Sequence, residues 1–271
     1  LIQTLKSKGA SVAGLSERNE FDWPLKSNRL VLSHLDASCW PESLAGLDKK
    51  QLKAVFSTDF KRQFAEIRWL RDGVDTVVEV ALDQGLVIAG EQQEDICEVE
   101  LELREGDPAA LLELALELAA DVALMPCDIS KAERGYRLFD ANSYSVAADP
   151  AELSVDMPLD DAFAAITWQL LGNSQRLAEQ YRFNGHWKLL EQWLQQLVSL
   201  RAVLASLGQS VPRQTSNALR MQLDALIKDW RERILAGADD QAAREAAPLA
   251  FADELNDNRW GVFSLQMALW L

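Results

Sequence analysis

Residues 97–108 read CEVELELREGDP, and the first seven of them alternate between apolar and acidic side chains. On a β-strand, Glu98, Glu100 and Glu102 therefore line one face, while the opposite face is apolar. An ordinary amphipathic strand turns its polar face to water, and this interpretation stays open for the stretch taken alone. Three like charges in a row repel one another. The strand therefore predicts cations nearby.

The composition limits the classes of function. A chain of 271 residues with 48% hydrophobic residues can bury a sizeable core, and we expect two domains. The net charge of −15 argues against nucleic acid as a partner, because such binding rests on a basic surface. No apolar run approaches the length of a membrane span, so no membrane partner is expected.

The cysteines and histidines indicate a compartment and a type of metal ligand. Cys39, Cys97 and Cys127 are widely spaced and form no CxxC pair, which argues against disulfides and zinc knuckles and favours a reducing cytoplasm. Cys97 is interpreted as a structural residue, a small apolar side chain on the outer face of the strand. Because His34 and His186 are the two histidines, carboxylates are the expected metal ligands, and these prefer Mg²⁺ or Mn²⁺.

The spacing of the apolar residues changes once along the chain. Up to about residue 104, stretches such as RQFAEIRW, TVVEVALD and CEVELEL predict strands separated by glycine-containing turns. Asp107-Pro108 predicts the start of a helix that ends before Pro126, and residues 130–139, SKAERGYRLF, are interpreted as a short connector. Beyond residue 150, apolar spacing of 3.6 residues predicts helices throughout.

These patterns predict an α+β architecture of three segments. Residues 1–142 form a segment rich in β-strands, residues 143–158 are a linker, and residues 159–271 form an all-α bundle. The linker assignment rests on two prolines and many small residues.

The predicted strands of the first segment each carry charge on one face. Two arrangements remain open: an open sheet with a solvated mixed-charge face, or a closed barrel with a polar lumen. The lumen suits a polyanion, because lysine and arginine bind phosphate directly while carboxylates hold bridging divalent metals. Besides the three glutamates, the charged residues concerned are Lys6, Lys8, Arg18, Glu20, Arg62, Arg68, Glu79 and Asp83.

The succession TLKSKG, SERNEFDW, FSTDFKR, VEVALDQG, CEVELEL and SKAERGY, over roughly residues 1–140, resembles the CYTH superfamily, or triphosphate tunnel metalloenzymes. It is most similar to bacterial inorganic triphosphatases that carry a C-terminal CHAD domain. The resemblance implies that residues 1–142 belong to an eight-stranded antiparallel β tunnel or barrel that hydrolyses inorganic triphosphate to diphosphate and phosphate with Mg²⁺ or Mn²⁺. The family's N-terminal ExExK strand is not visible from Leu1 onward, so we expect a fragment that lacks the N-terminal strands.

The resemblance also implies roles for individual residues. The implied catalytic residues are Lys6, Arg18, Arg62, Glu79, Asp83, Lys131 and Arg134. The implied substrate-binding residues are Lys6, Lys8, Arg18, Arg62, Arg68, Lys131 and Arg134, with Arg62 and Arg68 exchangeable in role. The implied metal ligands are Glu98, Glu100 and Glu102.

The helical segment, residues 159–271, resembles part of a CHAD domain, which implies polyphosphate as a second partner. His186 and the tryptophans of this segment are interpreted as packing or incidental residues. Two alternatives to the inorganic triphosphatase remain open. One is another CYTH activity, thiamine triphosphatase or adenylate cyclase, and the other is a non-catalytic polyphosphate-binding or scaffold protein.

Overall fold

The structure is a computed structural model. The residues that it describes are 1–7, 9–12, 14–44, 46–71, 73–144, 146, 150–207, 213–234 and 240–271. The predicted phosphate ligand Lys8 and part of the predicted linker lie outside them.

The first half of the chain is built mainly from β-strands, as the alternating patterns predict. The strands are β1 (Ile2–Lys6), β2 (Ala10–Val12), β3 (Leu15–Glu17), β4 (Glu20–Pro24), β5 (Ser57–Arg71), β6 (Val74–Ala89) and β7 (Gln92–Glu105). Between β4 and β5 lie short 3₁₀ helices at Leu32–His34, Glu42–Leu44 and Lys49–Gln51.

The three long strands form one antiparallel sheet in the order β5-β6-β7. Its register places Arg62 opposite Asp83, and Asp83 opposite Glu98. Because side chains alternate along each strand, these three residues and Glu100 share one face of the sheet. We call this face, which carries the predicted site, the charged face.

The opposite face of β7 is less covered than its apolar residues predict. Cys97 lies on this face but is exposed, and the neighbouring Val99 is 39% exposed. Cys97 therefore lies on the expected outer strand face, where it is exposed to solvent. Alternation predicts which face a side chain takes, but it does not predict whether another element covers that face.

The expected closed tunnel is not found in the part of the chain that the structure describes. There the strand β1 pairs with β4, and β2 pairs with β3, as separate two-stranded sheets. With three to five residues each, these strands bond to one another and leave the long edges of β5 and β7 without a described partner strand. The antiparallel strands are therefore confirmed, whereas the eight-stranded closure is not.

Helices make up the rest of the chain. Their bounds are α1 (Ala109–Asp121), α2 (Lys131–Phe139), α3 (Leu159–Asn184), α4 (Lys188–Ser206), α5 (Arg213–Ile234), α6 (Asp240–Leu255) and α7 (Arg259–Trp270), with a 3₁₀ turn at Ala141–Ser143. Among the described residues, no helix combines the length and the apolar character needed to cross a bilayer.

The predicted helix after β7 is confirmed, and its start is fixed by a turn. Gly106 has φ of +104°, a left-handed conformation that glycine adopts without strain. The Asp107 carboxylate accepts a hydrogen bond from the backbone N–H of Ala109 at 2.9 Å. The helix ends at Asp121, a few residues before the predicted limit at Pro126.

The interpretation of residues 130–139 as a connector was wrong, because they form α2. Ser130 and Glu133 make a reciprocal capping box, which satisfies backbone N–H groups at the start of the helix. The S-x-x-E spacing is a sequence signal for a helix start, and it is present in SKAE.

The helices α3–α7 enclose an apolar core. Trp193 contacts Trp230 and Trp260, with ring centroids 4.8 Å and 5.5 Å apart. All three indoles are almost completely buried, which confirms their interpretation as packing residues. Large aromatic side chains of this kind bury much apolar area and favour such edge-on contacts.

The two halves of the chain also meet in a smaller apolar cluster. Leu112 and Ala119 of α1 pack with Leu265 and Ala268 of α7, and all four are buried. The helix α1, which follows the sheet, therefore packs against α7, the last helix of the chain.

Limited proteolysis tests how the halves are joined. Residues 150–158 contain no helix or strand and are mostly exposed, so we expect proteinase K to cut first within 143–158. Because α1 packs on α7, the two fragments should elute together in native gel filtration. Early cleavage within residues 76–85 of β6, or separate elution, would contradict this expectation.

Glu254 of α6 gives the helical part an expected pH dependence. Its buried carboxylate accepts a hydrogen bond from Arg233 at 3.0 Å, yet burial raises its pKa from 4.5 to about 7. The folded state therefore holds this proton more tightly than the unfolded state. The resulting stabilisation is present below about pH 4.5 and is lost as the pH rises through about 7.

We expect Glu254→Gln to remove this contribution, because glutamine does not titrate. The melting temperature of the variant should fall less between pH 5 and pH 8 than that of the wild-type protein. Thermal unfolding followed by tryptophan fluorescence measures both slopes. Equal slopes would show that Glu254 does not titrate in this range.

Candidate active site

Helix α2 covers the charged face of the sheet. Gly135 lies against the ring of Phe56, where a β-carbon would come within 2.3 Å of the aromatic carbons. The glycine therefore allows a close approach of α2 to the residue just before β5. This approach places Lys131 and Arg134 above the carboxylates of β6 and β7.

Three carboxylates lie together on this face. Oxygen atoms of Asp83, Glu98 and Glu100 all lie within 4.8 Å of one another. Asp83 is fully buried, whereas the Glu98 side chain is 27% exposed and that of Glu100 is 45% exposed. The group therefore opens toward solvent on the side of Glu100.

Lys131 is bound by all three carboxylates. Its ammonium lies 2.7 Å from Asp83 Oδ2 and 2.8 Å from Glu100 Oε1, and it also donates to Glu98. The ring of Phe60 lies beside it, with the centroid 5.1 Å from Nζ. A cation that contacts three acidic groups and an aromatic face is strongly held.

Arg62 closes the group from the side of β5. Its Nε and Nη2 donate to the two oxygens of Asp83 at 2.8 Å and 2.6 Å, and Nη2 also donates to Glu100. This is the fork-shaped pairing that guanidinium groups make with carboxylates. Asp83 and Glu100 are therefore each shared between Arg62 and Lys131.

These contacts shift the pKa values so that the charged form of each side chain is favoured. Burial works against the charges of Asp83 and Glu100, but Arg62 and Lys131 outweigh it and hold the pKa of both carboxyl groups below their ordinary values. Burial likewise works against the charge of Lys131, yet the carboxylates raise its pKa. All of these side chains are therefore charged at neutral pH.

Arg134 extends the cationic side of the group. Its Nη1 donates to Glu98 at 3.0 Å, its Nε donates to Glu94 at 2.7 Å, and it also donates to the backbone oxygen of Asp95. Its side chain is 4% exposed. Arg134 is therefore fixed by three contacts with β7.

A second charged group lies farther along the same face. Arg104 donates to Glu79 and, at 2.6 Å, to Glu102. Glu102, a predicted metal ligand, is thus placed with Glu79 rather than with Asp83, Glu98 and Glu100. Arg68 pairs with Asp75 at 2.7 Å, and its side chain is largely exposed.

Two predicted phosphate ligands lie elsewhere. Lys6 and Arg18 both donate to Glu20, each at 2.8 Å, beside the β1–β4 pair. Among the described contacts of Lys6 and Arg18, none reaches the glutamates of β7, because β1 and β4 form a separate sheet. Arg62, in contrast, contacts Glu100 as expected. Lys131 also contacts Glu100, and Arg134 contacts Glu98.

Two residues of the group are absent from the sequence prediction. Glu94 has the same parity as the three glutamates, and extending the strand N-terminally from Cys97 would have included it. Arg137 lies three residues after Arg134 on α2, so recognising the helix would have placed both arginines on one side.

The carboxylates fit a hard divalent cation. Such ions take oxygen ligands at roughly 2.0–2.6 Å, so two ligands of one ion lie up to about 5 Å apart. The oxygens of Asp83, Glu98 and Glu100 meet this condition. The donor set contains only oxygen, which suits Mg²⁺ or Mn²⁺.

The sheet and the helix α2 bring arginine and lysine side chains into contact with a cluster of carboxylates. These carboxylates are able to bind a divalent cation, and the arrangement defines the class of protein. Residues 1–136 match the family model of the CYTH domain, and the chain belongs to the CYTH family. It is 36% identical over 138 residues to an inorganic triphosphatase of Haemophilus influenzae. The match covers 51% of this chain and 38% of that relative.

The helices α3–α7 lie outside the residues matched by the family model. The CHAD-like assignment of residues 159–271 therefore stays a prediction, as does the polyphosphate partner. The cytoplasmic location is likewise a prediction from the sequence.

Proposed function

We propose that the protein hydrolyses inorganic triphosphate to diphosphate and phosphate with Mg²⁺ or Mn²⁺. The observation that carries the proposal is the shared pairing of Asp83 and Glu100 with Arg62 and Lys131. It brings cations of the type that binds phosphate into direct contact with oxygens of the type that binds a metal. The CYTH family and the related inorganic triphosphatase support it.

The charge balance of the group supports a role for a divalent metal. Around the acidic cluster, three cations face three carboxylates, so the cluster carries a net charge of 3 − 3 = 0 before any ligand binds. A polyanion is not attracted to a neutral group, whereas a divalent cation held by these carboxylates would make the group positive. The groups counted are Arg62, Lys131 and Arg134 against Asp83, Glu98 and Glu100.

In the proposed mechanism, a divalent metal held by Asp83, Glu98 and Glu100 would neutralise charge on the triphosphate. Lys131 and Arg62 turn from the carboxylates toward phosphate oxygens, and Arg134 donates from its fixed position. Charge that develops on the transferred phosphoryl group is thereby stabilised. Glu100 is the most exposed carboxylate of the three, and in this mechanism it would accept a hydrogen bond from the attacking water.

Phosphate release tests the proposal directly. The protein is incubated with triphosphate, thiamine triphosphate or ATP, with and without Mg²⁺ or Mn²⁺. We expect one phosphate per triphosphate, only with metal, and slower release from the organic substrates. Faster turnover of thiamine triphosphate, or cyclisation of ATP, would favour another CYTH activity. Binding without turnover of any of them would favour the non-catalytic alternative.

A further inference from the structure

Arg137 is a fully buried cation to which the proposed mechanism gives no contact with the substrate. It lies on α2 three residues after Arg134, and its side chain is 0% exposed. Burying a charge is costly unless it is paired and hydrogen-bonded. Its partners therefore indicate what it does.

On the side of the sheet, Arg137 shares a carboxylate with Arg134. Glu94 Oε1 accepts hydrogen bonds from Arg134 Nε at 2.7 Å and from Arg137 Nη2 at 2.8 Å. Glu94 Oε2 accepts a second one from Arg137 at 3.0 Å. The position of Glu94, and through it that of Arg134, thus depends on Arg137.

On the other side, Arg137 is held by α3. Its Nη1 donates to the backbone oxygen of Glu179 at 3.4 Å, and the buried Glu179 carboxylate lies 3.7 Å from Nη2. The ring of Phe183 packs on the guanidinium, with its centroid 4.8 Å away. A helix beyond the CYTH match therefore fixes the orientation of Arg137.

We infer that Arg137 is a positioning residue through which α3 orients Arg134 for the triphosphate. The inference rests on the proposed function. The chain of contacts runs from Glu179 through Arg137 and Glu94 to Arg134. Through this chain of contacts the helix α3, which lies outside the residues matched by the family model, becomes part of the site.

A double-mutant cycle separates this role from a merely structural one. Arg137→Met is combined with Arg134→Lys, which keeps a cation but loses the forked contact to Glu94 and Glu98. In the wild-type background, Arg137→Met should lower kcat/KM for triphosphate about 10- to 100-fold, as indirect supporting contacts of a site do. In the Arg134→Lys background, the same change should cost less than about threefold.

Two further variants keep the test decisive. Arg182 is another partner of Glu179, and its own side chain is partly exposed. Arg182→Met should therefore leave kcat/KM within about twofold of the wild-type value. If Arg137→Met does not fold, as judged by thermal unfolding, Glu179→Gln replaces it in the cycle with the same expected non-additivity.

The outcomes are distinguishable. Equal losses in both backgrounds would overturn the role of Arg137 while leaving the triphosphatase proposal intact. An inactive wild-type protein would instead overturn the proposed function, and the inference with it.

Discussion

Lys131→Met is expected to lower kcat for triphosphate by about 100-fold or more, because it removes a cation proposed to stabilise charge on the transferred phosphoryl group. The same change should tighten Mn²⁺ binding to the protein without triphosphate. In the structure the ammonium occupies the space between Asp83, Glu98 and Glu100, so it competes with a metal for their oxygens. Activity and metal affinity should therefore change in opposite directions.

Phosphate release and calorimetric titration with Mn²⁺ measure the two effects. Lys61→Met is the matched control, because Lys61 is exposed and lies next to Arg62 on the opposite face of β5. It should change neither quantity by more than about twofold. Unchanged Mn²⁺ affinity in Lys131→Met would show that the lysine does not compete with the metal.

Glu100→Gln is expected to weaken metal binding and to lower turnover, each by at least about tenfold. The change keeps the size of the side chain but removes one negative charge from the acidic group. Loss of a direct ligand normally costs more than the 10- to 100-fold typical of indirect contacts. Arg62 and Lys131 retain Asp83, so the protein should still fold.

Glu105→Gln is the control for this variant. Glu105 is exposed at the end of β7, away from the acidic group, and its change should do almost nothing. Phosphate release is measured against Mg²⁺ concentration for both variants. If Glu100→Gln kept the wild-type turnover and the same metal midpoint, the glutamates would be a solvated face.

Local patterns predicted the parts of the site that depend on local structure. Alternation placed Glu98 and Glu100 on one face of β7, and the pairing of neighbouring long strands brings Arg62 and Asp83 to that same face. Parity could not predict which sheet a strand joins. Lys6 therefore has the expected strand but pairs with Glu20 in a separate sheet.

The remaining residues depend on tertiary contacts. The capping box could have identified α2, but no local signal in YRLF predicts that Arg137 is buried against α3. The same holds for closure of the barrel, which needs long-range strand pairing rather than alternation alone.

The packing of α1 on α7 has a consequence for how the gene can change. A premature stop codon after α2 would leave the three-stranded sheet complete, yet it would bare the apolar side chains of Leu112 and Ala119 that Leu265 and Ala268 cover. Exposed apolar surface of this kind promotes aggregation. Selection would therefore tend to keep or lose the two halves together, even though the groups proposed to contact the substrate all lie in the first.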